Sequence, residues 1–262
     1  MPTTLEQILA TTRAGLPALA ARRAEIERRA MDPPARPSFL APWDRRHLAL
    51  IAEVKRRSPS AGTISAGLDP ASHARAYAAA GASAISVLTD GPYFGGALAD
   101  LEQVAGAVEV PLLRKDFILD EVQVLEARAA GASAVLLIVR ALPLPRLREL
   151  LAFARGLGLA ALVEVHDARE LDQALETDAR FLGVNSRNLD TFAIDVDAAW
   201  RLLARIPADR VAIAESGMAS EADVRKAADA GADGVLIGTA LSCAADPSAL
   251  ARAVAAVPRT GR

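Results

Sequence analysis

One short pattern recurs three times along the chain, as Ala80-Gly-Ala-Ser-Ala-Ile85, Ala130-Gly-Ala-Ser-Ala-Val135 and Ala230-Gly-Ala-Asp-Gly-Val235. Each copy joins the end of a helical stretch to an apolar run through a glycine, the residue that most readily takes the left-handed conformation closing a helix. Apolar runs of strand length occur at 48–54, 84–88, 110–113, 134–139, 160–165, 181–184, 211–214 and 234–237. Helical patterns separate them at 70–80, 97–108, 121–130, 145–157, 168–175, 196–206 and 220–230, and one more follows at 247–254. Such alternation means parallel strands joined by crossover helices. Eight units predict a closed (β/α)8 barrel of the α/β class. An open doubly wound sheet would carry a glycine-rich dinucleotide turn after its first strand, and Lys55-Arg-Arg-Ser-Pro-Ser60 stands there instead. A further helix is expected over residues 5–29. The chain thus reads as a single barrel domain, 1–262, whose residues 1–45 form an N-terminal helical extension over the barrel.

The 262 residues are 52% hydrophobic but only 4% aromatic, so the core must be built from Ala, Leu, Val and Ile. Barrels of this kind commonly reach such a length as one domain. The 30 basic and 32 acidic residues are mixed throughout, with a net charge of -2, and no basic face or interleaved aromatics signals nucleic acid. No apolar run approaches the roughly 20 residues that span a bilayer. The N-terminus lacks a continuous signal-peptide core, and Glu6, Glu25 and Glu27 argue against an organelle-targeting reading of the arginine- and alanine-rich segment. The single cysteine, Cys243, precludes an internal disulfide and a thiolate metal cluster, and the three histidines lie far apart. A reducing, cytoplasmic setting is expected.

Lysine is rare. It supplies three of the 30 basic residues, and two of these, Lys55 and Lys115, end apolar runs, whereas Lys226 sits in a charged helical stretch where arginine would serve as well. An ammonium is compact and can give up its proton, as a guanidinium effectively cannot, so lysines at strand ends are candidates for proton chemistry. In a (β/α)8 barrel the active site lies at the C-terminal ends of the strands, and side chains alternate faces along each strand. Ile51, Glu53 and Lys55 therefore share a face, as do Leu113, Lys115 and Phe117. Leu162 goes with Glu164, Gly183 with Asn185 and Arg187, and Ile213 with Glu215. One polar strand end marks only where a strand meets water, but five in the same phase bring two lysines and three glutamates to one mouth. Such a cluster can push pKa values apart and so separate acid from base roles. Glycine turns end the last two units, Glu215-Ser-Gly217 and Ile237-Gly-Thr239. Backbone amides there, helped by a helix N-terminus, suit a phosphate dianion.

With these residues in place, the chain resembles the indole-3-glycerol-phosphate synthase family of tryptophan biosynthesis. The most specific piece is Ile51-Ala-Glu-Val-Lys-Arg-Arg-Ser-Pro-Ser-Ala-Gly62, supported by Val87-Leu-Thr-Asp90 with Tyr93-Phe94-Gly95. Leu113-Arg-Lys-Asp-Phe-Ile118, Val135-Leu-Leu-Ile138, Val163-Glu-Val-His166, Gly183-Val-Asn-Ser-Arg-Asn-Leu189 and Ala214-Glu-Ser-Gly217 follow in order. The resemblance covers nearly the whole chain and implies a TIM barrel. It also implies a carboxy-lyase that turns 1-(2-carboxyphenylamino)-1-deoxyribulose 5-phosphate into indole-3-glycerol phosphate, carbon dioxide and water, with no cofactor and no metal.

The same resemblance implies roles. Lys115 would be the general acid of ring closure, Lys55 the electrostatic partner of the substrate carboxylate, and Glu164 and Glu53 would share the later acid–base work. Asn185 and Arg187 would orient the substrate, Glu215 and Ser216 would touch its sugar chain, and Phe94 and Phe117 would wall its aromatic ring. Gly217, Gly238 and Thr239 would hold the phosphate. Ser58 either donates to the substrate carboxylate or fixes the turn around Pro59. His166 shares a face with Glu164 but is expected as a solvated or hydrogen-bonded loop residue. The partner is a phosphorylated small molecule, with no nucleic acid and no membrane. A monomer or weak homo-oligomer is expected, with other tryptophan-pathway enzymes as candidate partners.

Two departures stand out. Gly95-Gly96 occupies the place where the family usually has glycine and serine, and Leu241-Ser-Cys243 replaces a more usual Leu-Met-Arg. Two rival readings remain. A sugar-phosphate isomerase, epimerase or aldolase on the same barrel would need other strand-end chemistry; the related phosphoribosylanthranilate isomerases use a cysteine and an aspartate, and no cysteine ends an early strand here. A non-catalytic phosphate-binding scaffold would not need the full set Glu53, Lys55, Lys115, Glu164 and Asn185.

Overall fold

A computed structural model describes residues 4–40, 43, 46–59, 62–64 and 67–260. Eight parallel strands close into a barrel: β1 (Ala49–Val54), β2 (Ala84–Leu88), β3 (Leu112–Lys115), β4 (Ala134–Ile138), β5 (Ala160–Val165), β6 (Phe181–Asn185), β7 (Val211–Glu215) and β8 (Gly234–Ile237). Their order around the barrel is their order in the chain, and β8 returns to β1 with Ala49 opposite Gly234 and Ile51 opposite Leu236. The main helices are α1 (Leu5–Ala20), α2 (Arg23–Met31), α3 (Pro70–Ala79), α4 (Leu98–Ala105), α5 (Glu121–Ala129), α6 (Leu144–Gly156), α7 (Ala168–Leu175), α8 (Val196–Leu203), α9 (Glu221–Asp229) and α10 (Pro247–Ala255).

The two-residue period of the strands divides the apolar residues between two clusters. Leu50, Ala52, Val54, Val87, Val163 and Val184 point outward and pack under the helices. Ile51, Leu113, Leu162, Ile213 and Leu236 point inward and fill the barrel. Helix starts are fixed by short polar side chains. Asp120 accepts from the Val122 amide at 3.0 Å while Gln123 accepts from the Asp120 amide at 3.2 Å, and Ser220 and Asp223 form the same reciprocal pair. Each such cap stabilises its helix by about 1 kcal/mol. The glycines of the threefold pattern, Gly81, Gly131 and Gly231, take φ of 96°, 87° and 95°, the left-handed conformation expected of them.

The segment expected as one helix over 5–29 is two. Pro17 has no N–H and so cannot complete the bonding of the last turn of α1. The amides of Ala21 and Arg22 close onto Pro17 and Leu19 carbonyls, and the chain turns. The two helices then cover different surfaces: Leu5, Ile8 and Leu9 join the inward cluster that includes Phe117, whereas Ile26 and Ala30 pack on Val122, Leu125 and Ala129 of α5. Beyond Met31 the described residues form no helix before β1, and they reach the N-terminal end of the barrel. There the rings of Phe39, Trp43 and Phe181 meet, with centroids 5.2–5.9 Å apart, and the Trp43 indole donates to the Phe39 carbonyl at 2.6 Å. Residues 1–3, 41–42 and 44–45 of the expected extension lie outside the described residues, as do Ser60 and Ala61 of the first motif. Among the described residues, no helix is long and apolar enough to cross a membrane.

Candidate active site

Toward the C-terminal ends of the strands the inward phase changes from apolar to ionic. From the end of β3, Lys115 donates through Nζ to Glu164 Oε2 of β5 at 2.7 Å and to Glu215 Oε2 of β7 at 2.8 Å. Beside them, Lys55 Nζ lies 2.8 Å from Glu53 Oε1. Glu164 and Glu215 side chains are 1% exposed, so these charges face one another and not bulk water. One cavity is lined by Glu53, Lys55, Ser58, Phe94, Lys115, Phe117, Glu164, Asn185, Arg187, Glu215, Ser216, Gly217, Gly238 and Thr239. The fold therefore brings every candidate residue to one place. Leu88, Leu136, Ile138, Leu189 and Phe192 supply an apolar wall that the sequence reading missed. Phe94 and Phe117 face each other with centroids 6.0 Å apart and planes tilted by 37°.

Two glycines make room for the carboxylates. A Cβ on Gly183 would fall inside Glu215 Oε1, and one on Gly238 inside Glu53 Oε1. Neither role was foreseen, because it depends on which strand lies next door in the closed barrel. Arg114, one residue before Lys115, points the other way. It is buried, 3.0 Å from Asp116 Oδ2 and 2.8 Å from Glu126 Oε2, while Asp116 Oδ1 accepts the Phe117 amide at 2.8 Å. This anchors the turn that carries Lys115 and Phe117.

The electrostatics separate the titratable groups. Burial alone would lower the Lys115 pKa, but the charges of Glu164, Glu215 and Glu53 outweigh it and raise it, so the ammonium is fully charged. Burial would raise Glu164, yet Lys115 and His166 together hold it well below the ordinary carboxylate range. Glu215 goes the other way. Burial and the neighbouring charge of Glu164 outweigh Lys115 and push it up to about 8, leaving one carboxylate ionised and the other ready to carry a proton.

His166 is not solvated. Its side chain is 3% exposed, with Nε2 3.2 Å from Glu164 Oε1 and Nδ1 3.0 Å from Glu170 Oε2. The Nε2 contact is an ion-pair approach off the line of a good hydrogen bond. Burial would lower this imidazole, but the two carboxylates prevail and push it up to about 9.

Ser216 and Gly217 take consecutive left-handed conformations, φ 65° and 75°. A Cβ on Gly217 would lie 2.5 Å from Val196 Cγ1 and 2.9 Å from Ser186 Oγ. The short helical turn Thr239–Cys243 starts directly after Gly238, and the amides of a first turn have no acceptor within the helix. Asn185 Oδ1 accepts the Arg187 amide at 3.0 Å, and the Arg187 guanidinium donates to the Phe192 carbonyl at 3.2 Å, which ties the loop after β6 to the rim. Ser58 is buried on the cavity wall. On position 96 the reading needs correction: a Cβ there would run into the Leu88 carbonyl, so only glycine fits. A serine suits position 97, where Ala97 is the N-cap of α4 and offers no side-chain acceptor.

A closed (β/α)8 barrel whose strands end in facing lysines and glutamates defines a barrel enzyme. The chain belongs to the indole-3-glycerol phosphate synthase family, whose sequence model, described as Indole-3-glycerol phosphate synthase, matches residues 5–254. It is 53% identical to the indole-3-glycerol phosphate synthase of Nocardioides sp. over 80% of each chain. It is 47% identical to that of Mycolicibacterium gilvum over 97% of this chain and 94% of that one. Among solved structures it resembles 3-hexulose-6-phosphate synthase from Salmonella typhimurium, with a TM-score of 0.61 and 16% identity over 79% of this chain and 97% of that one. Thiamine phosphate pyrophosphorylase from Pyrococcus furiosus gives 0.58 and 17% over 79% and 93%. At those identities the likeness concerns the fold alone.

Proposed function

We propose that the cavity closes the indole ring of 1-(2-carboxyphenylamino)-1-deoxyribulose 5-phosphate, with Lys115 as the proton donor. The observation that carries the assignment is the Lys115 ammonium held between Glu164 and Glu215, beside the Lys55–Glu53 pair. In the first step the ring carbon bearing the carboxylate attacks the sugar ketone, whose oxygen takes a proton from Lys115. Loss of carbon dioxide then returns the bonding electrons to the ring. Dehydration follows: the new hydroxyl leaves as water with one proton, and a second proton departs from the neighbouring carbon, which gives the indole.

Before substrate binds, the carboxylates hold the Lys115 proton too firmly for easy transfer. Two of the three N–H groups of Nζ go to Glu164 and Glu215, which leaves the third for the ketone oxygen. The raised Lys115 pKa also disfavours a Schiff-base aldolase, whose nucleophilic lysine must be neutral. Lys55 suits the substrate carboxylate, and Glu164 and Glu53 suit the proton transfers of dehydration. Asn185 and Arg187 orient the substrate, Glu215 and Ser216 meet the sugar chain, and Ser58, which lines the same cavity, is a candidate donor to the substrate carboxylate. Phe94 and Phe117 wall the aromatic ring. Gly217, Gly238 and Thr239 receive the phosphate through backbone amides. Within the single domain, α1 acts as a cap at the barrel mouth, supported by Leu5, Ile8 and Leu9 packing near Phe117 and by Thr11 Oγ1 lying 2.7 Å from the Tyr93 hydroxyl. The reading keeps the enzyme in the cytoplasm as a monomer or weak homo-oligomer.

The test is turnover of that substrate by purified protein with EDTA present, followed by indole fluorescence. Fluorescent product is expected. Saturable binding without product would leave a scaffold or a sister barrel activity, and absence of binding would sink the substrate assignment.

A further inference from the structure

His166 was absorbed by none of the roles above, yet it occupies a place that a merely structural histidine would not need. Five charged groups alternate in sign from the cavity to the surface: Lys115, Glu164, His166, Glu170 and Arg140. Lys115 takes Glu164 Oε2 at 2.7 Å and His166 approaches the other oxygen, Oε1, at 3.2 Å. Behind the ring, Glu170 accepts from the His166 backbone amide at 2.9 Å as well as pairing with Nδ1 at 3.0 Å. Arg140 Nε in turn donates to Glu170 Oε1 at 2.6 Å, and the same guanidinium meets Asp167 and Asp190 at the surface. The titratable groups around the ring are therefore Glu164 from its own strand β5 and Glu170 from α7. Arg140, in the turn after β4, stands behind Glu170, and Lys115 from β3 stands across Glu164.

We propose that His166 is a positioning residue for Glu164: its ring, braced by Glu170 and Arg140, fixes the rotation of the Glu164 carboxylate that presents Oε2 to Lys115. The inference rests on the reading of Glu164 as an acid–base group. A carboxylate gripped at one oxygen can still swing about its terminal torsion, whereas one gripped at both cannot. Glu170 already secures the strand-to-helix turn through the backbone amide, so the Nε2 contact is the part that serves Glu164.

The experiment compares His166→Asn, which keeps a group near the Nδ1 side and loses the reach to Glu164, with His166→Gln, which restores a donor near Nε2. Glu164→Gln is measured alongside, and kcat and KM are followed from pH 5 to pH 10. For His166→Asn, kcat should fall about tenfold or more, the loss of one close, buried charge contact on Glu164, with KM within about twofold. Its acidic limb should move to higher pH, because a carboxylate that loses a neighbouring cation is more easily protonated. His166→Gln should recover most of kcat. Wild-type kcat and an unmoved acidic limb in His166→Asn, with Glu164→Gln inactive, would overturn the role of His166 alone. Full turnover by Glu164→Gln would overturn the reading of Glu164 and this inference with it. Should the variants fail to fold, ring-nitrogen NMR of the wild-type protein decides. A ring that stays protonated through pH 8 supports the inference, and a neutral ring at pH 7 overturns it.

Discussion

The two ends of the barrel interior are made of opposite materials, although the same strands supply both. At the N-terminal end, Phe39, Trp43 and Phe181 put three aromatic rings in contact. At the C-terminal end, Lys115 stands between Glu164 and Glu215, and Lys55 pairs with Glu53. β6 begins at Phe181 and ends at Asn185, and in β5 a single alternation step, about 7 Å along the strand, leads from Leu162 to Glu164. Burial of apolar rings stabilises the fold, whereas taking charges out of water costs several kcal/mol per ion before their mutual attraction repays it. The lower end thus contributes stability, and the upper end holds groups whose protonation can be used.

Four measurements would break or sharpen that division. Lys115→Arg keeps the charge but loses a compact, titratable donor, so kcat should fall by about 10²–10⁴ while the unfolding midpoint moves little. Near-normal turnover would reduce Lys115 to a simple source of charge. Phe181→Leu, at the other end, should cost about 1–3 kcal/mol in unfolding free energy and leave kcat and KM of the folded enzyme unchanged. A shifted KM would show that the lower end reaches the site. Deleting residues 1–30 should raise KM several-fold more than it lowers stability, and unchanged kinetics would remove the N-terminal helices from the mouth. Ala97→Ser supplies the missing N-cap acceptor of α4 and should add about 0.5–1 kcal/mol, read by denaturant titration, without altering turnover.

The mouth also predicts a pH dependence. The folded value of His166 is about 9 against 6.5 for a free side chain, so the bound proton stabilises the folded state. That contribution is fully present below about pH 6.5 and is lost as pH rises through 9. The unfolding midpoint of wild type should exceed that of His166→Gln at pH 6 and lose the advantage by pH 10. A constant difference would mean that the ring does not titrate in this window.

Much of this was legible in the chain because strand phase is local. Alternation alone placed Glu53 with Lys55 and put Lys115, Glu164, Asn185 and Glu215 on the inward face, and left-handed glycines marked the helix ends. What was not legible depends on closure. Lys115 meets Glu215 across 100 positions of sequence, a contact set by barrel geometry. The room that Gly183 gives Glu215 and Gly238 gives Glu53 follows from the same neighbourhoods. Of the two readings of His166, solvated or hydrogen-bonded loop residue, the second holds; its burial was not legible because Glu170, one helical turn on, and Arg140, from another unit, stand behind it. The break between α1 and α2 depended on Pro17 together with two different docking surfaces.

The most direct test of the division is a double-mutant cycle between Lys115→Arg and Phe181→Leu, with kcat and unfolding free energy measured on the same four proteins. If chemistry and stability are separated along the strands, the two substitutions should act independently, with coupling below about 0.5 kcal/mol in each quantity. Coupling well above that, above all a Phe181→Leu background that changes what Lys115→Arg does to kcat, would show that the two ends work as one.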